Sequence, residues 1–189
     1  MSLALTLGAV GCQQKSKQLP KGVFGPGTHA YCLPAAHFVD QHGNAVNLSN
    51  LKGKWLMVDF IYTRCPGPCE LMTNRLTHVA DHLKADMGKN VEFVSITLDP
   101  EHDGPKQLRD WAQAQGAERA GWLFLTGSLQ SVEEVMAPFH VKRRVESNGE
   151  IDHVIEVFLV GPEGHERRQY SPYEAAPEAI ANDVLSLAS

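Results

Sequence analysis

Trp55-Leu56-Met57-Val58-Asp59-Phe60-Ile61-Tyr62 is apolar but for Asp59, and it runs almost directly into Cys65-Pro66-Gly67-Pro68-Cys69. A short run this apolar suits a central strand covered on both faces. Met72, Leu76, Val79, Leu83 and Met87 follow at steps of four, three, four and four. That spacing predicts one buried helix face, with Cys69 on the same line and Gly88 as the stop. Strand, sulfur-bearing loop and helix in this order place the loop at the carboxyl end of a buried strand, where open α/β sheets gather their chemistry. Cysteines four apart at a helix entrance lie about one turn from each other, near the Cα separation of roughly 4.4–6.8 Å that a disulfide needs. The same spacing lets both thiolates hold one metal ion. Electron transfer, metal carriage and a structural staple all remain open at this point.

The rest of the chain fills in the sheet. Ala36 to Leu48 reads as a hairpin around His42-Gly43-Asn44. Val91 to Leu98 is a second buried strand, followed by the loop Asp99-Pro100-Glu101-His102-Asp103 and a helix from Pro105 to Gln115. Trp122 to Thr126 gives a third strand, and Ser128 starts a short helix carrying Leu129, Val132, Val135 and Met136. Val141–Val145 and Val154–Val160 flank an Asn148-Gly149 turn, and Gly161-Pro162-Glu163-Gly164 turns the chain again before His165–Tyr170. Ile180, Val184 and Leu187 lie on one stripe of a closing helix. Alternating helices and parallel strands with a C-terminal hairpin and helix describe an α/β sandwich: a central mixed sheet, flanking helices and an N-terminal β-hairpin. The order alone permits several α/β folds; the cysteine loop selects the thioredoxin-like one. If the strand from Val154 runs antiparallel to the central strands, His153 begins it at the cysteine edge.

With 189 residues and 43% hydrophobic content, the chain suits one domain, 29–189, preceded by a tail over 1–28. A net charge of −5 without long basic runs excludes the electrostatic footprint of a nucleic-acid binder. Met1 to Gly11 is apolar but far shorter than a membrane span. Ala9-Val10-Gly11-Cys12 resembles the end of a bacterial lipoprotein signal, although no positive residue precedes the run and Ala9 stands where such signals carry leucine. On that reading Cys12 carries a lipid. The domain then works outside the cytoplasm, on the periplasmic side, tethered to the membrane by the anchor alone; the other reading is a leader without function.

A free thiol has a pKa near 8.5, and a helix N-terminus lowers it. Cys69, at the helix entrance, is the cysteine expected to gain from that effect. Two thiolates and a neutral imidazole form a soft three-coordinate set that suits Cu(I), whereas Zn²⁺ seeks a fourth ligand. Three segments together resemble the Sco family of copper-binding thioredoxin-fold proteins, which take part in cytochrome c oxidase assembly. They are Phe60 to Cys69, Ser95 to Asp103, and Asp152-His153 with the Leu159-to-Gly164 turn, supported by Tyr170-Ser171-Pro172. The resemblance covers roughly residues 34–186. It implies that Cys65, Cys69 and His153 are ligands for copper, Cu(I) or Cu(II), and that Cys65 and Cys69 also form a redox-active disulfide. It further implies a copper-receiving partner such as a cytochrome c oxidase subunit, a thioredoxin-like reductant, and an Asp99–Asp103 loop beside the site as a candidate for docking. Glu70 stands where the family usually has proline, and Val154 where it has a small polar residue.

The main rival is a thiol-disulfide oxidoreductase acting on cysteines of a target protein. Against it stand the three-residue spacing and His153 at the place where thioredoxins carry a cis-proline. A thiol peroxidase lacks its threonine spacing before Cys65, and a zinc-stapled domain would unfold on chelation. His78 and His82, at i and i+4, lie off the apolar line and read as a solvated face. Arg64 has two readings, lowering the Cys65 pKa or carrying surface charge. Asp59 needs a partner inside the apolar strand or modulates the site. Cys32 reads as a small buried residue, with a third thiol as the alternative. Asp152 points to the face opposite His153 and is not its support.

Overall fold

The structure, a computed structural model, describes residues 19–25 and 33–188. The strands are β1 (Val23–Phe24), β2 (His37–Asp40), β3 (Ala45–Asn47), β4 (Trp55–Ile61), β5 (Val91–Thr97), β6 (Trp122–Gly127), β7 (Arg144–Val145), β8 (Ile151–Asp152), β9 (Val157–Val160) and β10 (Glu166–Tyr170). The helices are α1 (Pro68–His82), α2 (Pro105–Ala114), α3 (Leu129–Met136) and α4 (Pro177–Leu187). Eight strands form one sheet in the order β1-β10-β9-β4-β5-β6-β2-β3. β4, β5 and β6 are parallel, while β9 runs antiparallel to β4 with Asp59 opposite Val157. Every residue of β4 and β5 is buried, as two covered faces require. Phe93 meets the Trp122 ring edge-on at 5.0 Å, and Trp122 stacks on Phe124 at 5.5 Å. This is the thioredoxin-like α/β sandwich with its mixed sheet, and the β2–β3 hairpin stands at the edge beside β6.

Two expected elements are shorter than their periodicity suggests. α1 stops at His82, not at Gly88, because the Asp86 carbonyl accepts from the N–H groups of Lys89, Asn90 and Val91 at 3.0, 3.0 and 3.1 Å. That tight turn delivers the chain to β5, and Leu83 and Met87 still reach the core from it. The strand expected from Val154 begins only at Val157. The Asn148-Gly149 turn closes a different hairpin, in which Arg144 pairs with Asp152 and Val145 with Ile151, as a separate two-stranded sheet. Residues 153–156 join the two sheets without ladder bonds, and Val154 is exposed.

The consequence for the site is positional. β4 and β5 deliver residues 62–67 and 98–104 to one end of the sheet, and antiparallel β9 is approached from that same end. Cys12 and Cys32 lie outside the described residues.

Candidate metal and thiol site

β4 ends at Ile61, and the next residues turn over the sheet edge. Gly67 stands at the cap of α1 with φ 122°, a region where a Cβ is strained, and Pro68 opens the helix without needing an N–H partner. Asp103, fully buried, holds the turn in place. It accepts from the Thr63 N–H at 3.0 Å, from the Thr63 hydroxyl, and from the Thr97 hydroxyl at 2.6 Å. Asp99 faces inward too, pairing with the Arg64 guanidinium at 2.6 Å and with His102 Nδ1 at 2.8 Å. Arg64 follows neither of its two readings: its guanidinium is committed to an ion pair with buried Asp99 and to His102. The Asp99–Asp103 loop braces the cysteine turn from beside it. On the other side, the Tyr173 hydroxyl donates to the Pro68 carbonyl at 3.2 Å, and Arg75 donates to the Ala175 carbonyl at 2.9 Å.

Cys69, on the first turn of α1, is completely buried, whereas Cys65 keeps 9% exposure at the mouth. The Cys69 N–H donates to the Cys65 sulfur at 3.4 Å. Hydrogen bonding from Cys69 lowers the Cys65 pKa to about 6 against the opposing effect of burial, helped by the Tyr62 hydroxyl and the Gly67 N–H. Cys69 moves the other way, raised by the Cys65 sulfur beside it and by burial. The expectation that Cys69 gains most from the helix end is therefore corrected. The amides there point at Cys65, which sits just ahead of the helix, while the Cys69 side chain turns into the core.

His153 places Nε2 at 3.8 Å from the Cys69 sulfur. Its Nδ1 lies 2.9 Å from the Val154 carbonyl, which only accepts, so the ring proton resides on Nδ1 and Nε2 presents a lone pair to the sulfurs. Burial lowers the His153 pKa, which keeps the ring neutral at neutral pH. Metal–sulfur and metal–nitrogen bonds of roughly 2.3 and 2.0 Å at a trigonal angle separate the two donors by about 3.7 Å. Cys69 and His153 stand near that separation, although among the described residues no three such ligands form a finished metal cluster. A shallow groove of about 430 Å³ opens over Cys65 and His153, walled by Tyr62, Pro66, Pro68 and Ile155.

The other candidates divide: the two helix histidines stand away from the sulfurs, whereas Asp59 helps to raise the Cys69 pKa and Asp152 lines the groove. His78 and His82 are exposed on α1, with His82 3.6 Å from Glu178. Asp152 pairs with Arg144 at 3.1 Å, and both line the groove over Cys65 and His153. Asp59 is buried under the sheet face, accepting from the Ser95 hydroxyl at 2.6 Å with its second oxygen unpartnered, and burial raises its pKa to about 7. Sequence reasoning missed Tyr62, Tyr173 and the Asp103 brace. Asp103 reaches Thr63 across 40 residues, Tyr62 reaches Ile151 across 89 and Tyr173 reaches Pro68 across 105, and no local periodicity reports contacts of that kind.

Residues 32–189 match the SCO1/SenC family. The SCO1 protein homolog of Bacillus subtilis is 36% identical over 153 residues, covering 79% of each chain. A candidate copper-binding protein of Stutzerimonas stutzeri is 29% identical over 70% of this chain and 65% of its own length. Among solved structures, BsSco, described as a member of the Sco family of cytochrome c oxidase assembly proteins with a disulfide switch, superposes with a TM-score of 0.73. It is 33% identical, covering 84% of this chain and 94% of that one. Fold, cysteine loop and the extent of these matches agree: the chain belongs to the SCO1/SenC family.

Proposed function

We propose that this protein carries copper, binding Cu(I) through Cys65, Cys69 and His153 and passing it by ligand exchange to a partner such as a copper site of cytochrome c oxidase. The observation that carries the reading is the unprotonated Nε2 of His153 aimed at the Cys69 sulfur from a different part of the fold. Two sulfurs and one imidazole match the softness and low coordination number of Cu(I). The relative assigned as a candidate copper-binding protein and the assembly role described for BsSco support the same reading. Lipid attachment at Cys12 would tether the carrier outside the cytoplasm, where such an acceptor is found. The test is titration of the reduced protein with Cu(I) against a competing chelator, for wild type and His153→Ala. One copper per chain and a weakening of more than about tenfold in the variant are expected. Equal affinities would remove His153 from the set.

A second reading has its own observation. An accessible Cys65 of lowered pKa in front of a buried Cys69 of raised pKa is the polarity of an attacking and a resolving thiol, and BsSco is described as having a disulfide switch. In this role the pair exchanges electrons with cysteines of a target and is returned to the dithiol by a thioredoxin-like reductant. Turnover of a disulfide substrate by the metal-free His153→Ala variant at the wild-type rate would favour it.

A further inference from the structure

His153 is carried by a segment that the main sheet does not hold. Residues 153–156 have no ladder partner, and β8 before them pairs only with the two-residue β7. Something else must set the ring's distance from the sulfurs. The Ile151 and Ile155 side chains pack into the core, and the Arg143 guanidinium donates to the Leu98 carbonyl at 2.6 Å. A further tie is at the site. Tyr62, 3% exposed, follows the end of β4 and precedes Thr63, which Asp103 locks. Its hydroxyl oxygen accepts from the buried Ile151 N–H at 3.2 Å, two residues before His153. Its ring meets the His153 ring edge-on, with centroids 6.0 Å apart and planes at 72°. Tyr62 lines the groove together with Cys65 and His153.

We infer that Tyr62 is a positioning residue: its hydroxyl accepts from the Ile151 amide and its ring packs edge-on against His153, and so it holds the His153 segment at ligating distance from the cysteine loop that follows it. The inference rests on reading Cys65, Cys69 and His153 as one copper-binding set. A phenylalanine would keep the ring contact with His153 and lose the hydrogen bond from the Ile151 amide, so Tyr62→Phe isolates the hydroxyl.

The experiment compares wild type, Tyr62→Phe, His153→Ala and the double variant, at a temperature where all four show the same near-ultraviolet circular dichroism. In reduced metal-free protein, Ile151 amide exchange in Tyr62→Phe is expected to accelerate at least about tenfold. Cu(I) affinity is expected to fall about tenfold, as loss of a group that orients a ligand does. In the Cu(II) complex, the nitrogen hyperfine signal of the coordinated imidazole is expected to weaken. In the His153→Ala background, Tyr62→Phe is expected to change affinity little, because a positioning group has no effect once the group it positions is gone. Wild-type affinity and hyperfine signal in Tyr62→Phe would overturn the inference, as would a full tenfold further loss in the double variant. Should His153→Ala bind copper like wild type, the ligand assignment itself fails. Unchanged Ile151 exchange would then overturn the hydroxyl's hold on the segment as well, and accelerated exchange would retain it.

Discussion

Two thiols four residues apart differ in ionisation because one faces the amides ahead of a helix and the other faces the core. At neutral pH Cys65 is mostly thiolate, Cys69 is a thiol and His153 is neutral. Binding of one Cu(I) at pH 7 is therefore expected to release about one proton, taken from Cys69. As the pH falls through about 6 the release should climb toward two protons, and affinity should drop with it. Calorimetry in buffers of different ionisation enthalpy measures that count. Asp59 gives a second residue-scale prediction. Below about pH 4 the folded and unfolded chains both keep its proton; above that the unfolded chain releases it first, so stability falls with rising pH until the folded carboxyl ionises near 7. Holding the carboxyl at about 7 against a model value of 3.8 removes about 4 kcal/mol by the end of that window. Asp59→Asn should flatten the slope, gaining on wild type by a few kcal/mol between about pH 4 and pH 8 in urea unfolding. The sequence singled out both cysteines, His153 and the anomaly of Asp59 as candidates. It could not say which thiol is acidic, because that depends on where a loop aims its amides.

Among the elements, the strands of the core were readable from their apolar runs, since burial on both faces leaves little else to choose from. β7 and β8 were not. Strands of two residues carry no period, and the Val154–Val160 run absorbed a segment that is in fact free of the sheet. α1 was overextended for a related reason, because Leu83 and Met87 keep the helical spacing while the backbone has already turned. The brace between the cysteine turn and β5 belongs to this scale as well. Asp103→Ala leaves the Thr97 hydroxyl and the Thr63 N–H and hydroxyl without their acceptor in a buried place. A loss of about 2–4 kcal/mol in unfolding free energy is expected, with faster exchange at the Thr63 amide. Melting curves and amide exchange decide it; an unchanged melting temperature would mean water replaces the carboxylate.

For the whole molecule, a buried core running through β4, β5, β6 and β9 leads to the expectation that the fold stands without a metal. Adding a strong chelator to the reduced protein should leave cooperative unfolding in place. Saturation with copper at about a hundred times the dissociation constant should add about 2.7 kcal/mol, readable as a rise in melting temperature. Collapse of the fold on chelation would instead mark a structural staple. The parallel strands fixed in advance that the chemistry would gather at their carboxyl ends, and the antiparallel course of β9 brought residue 153 to the same end. What only the folded chain displays is how unequally the two sides of the site are mounted. The sulfurs are rooted in a helix and a braced turn; the imidazole hangs from a two-stranded flap outside the main sheet. A substitution on the flap is therefore expected to displace the imidazole while leaving the sulfurs in register, so the two halves of the site can be altered one at a time.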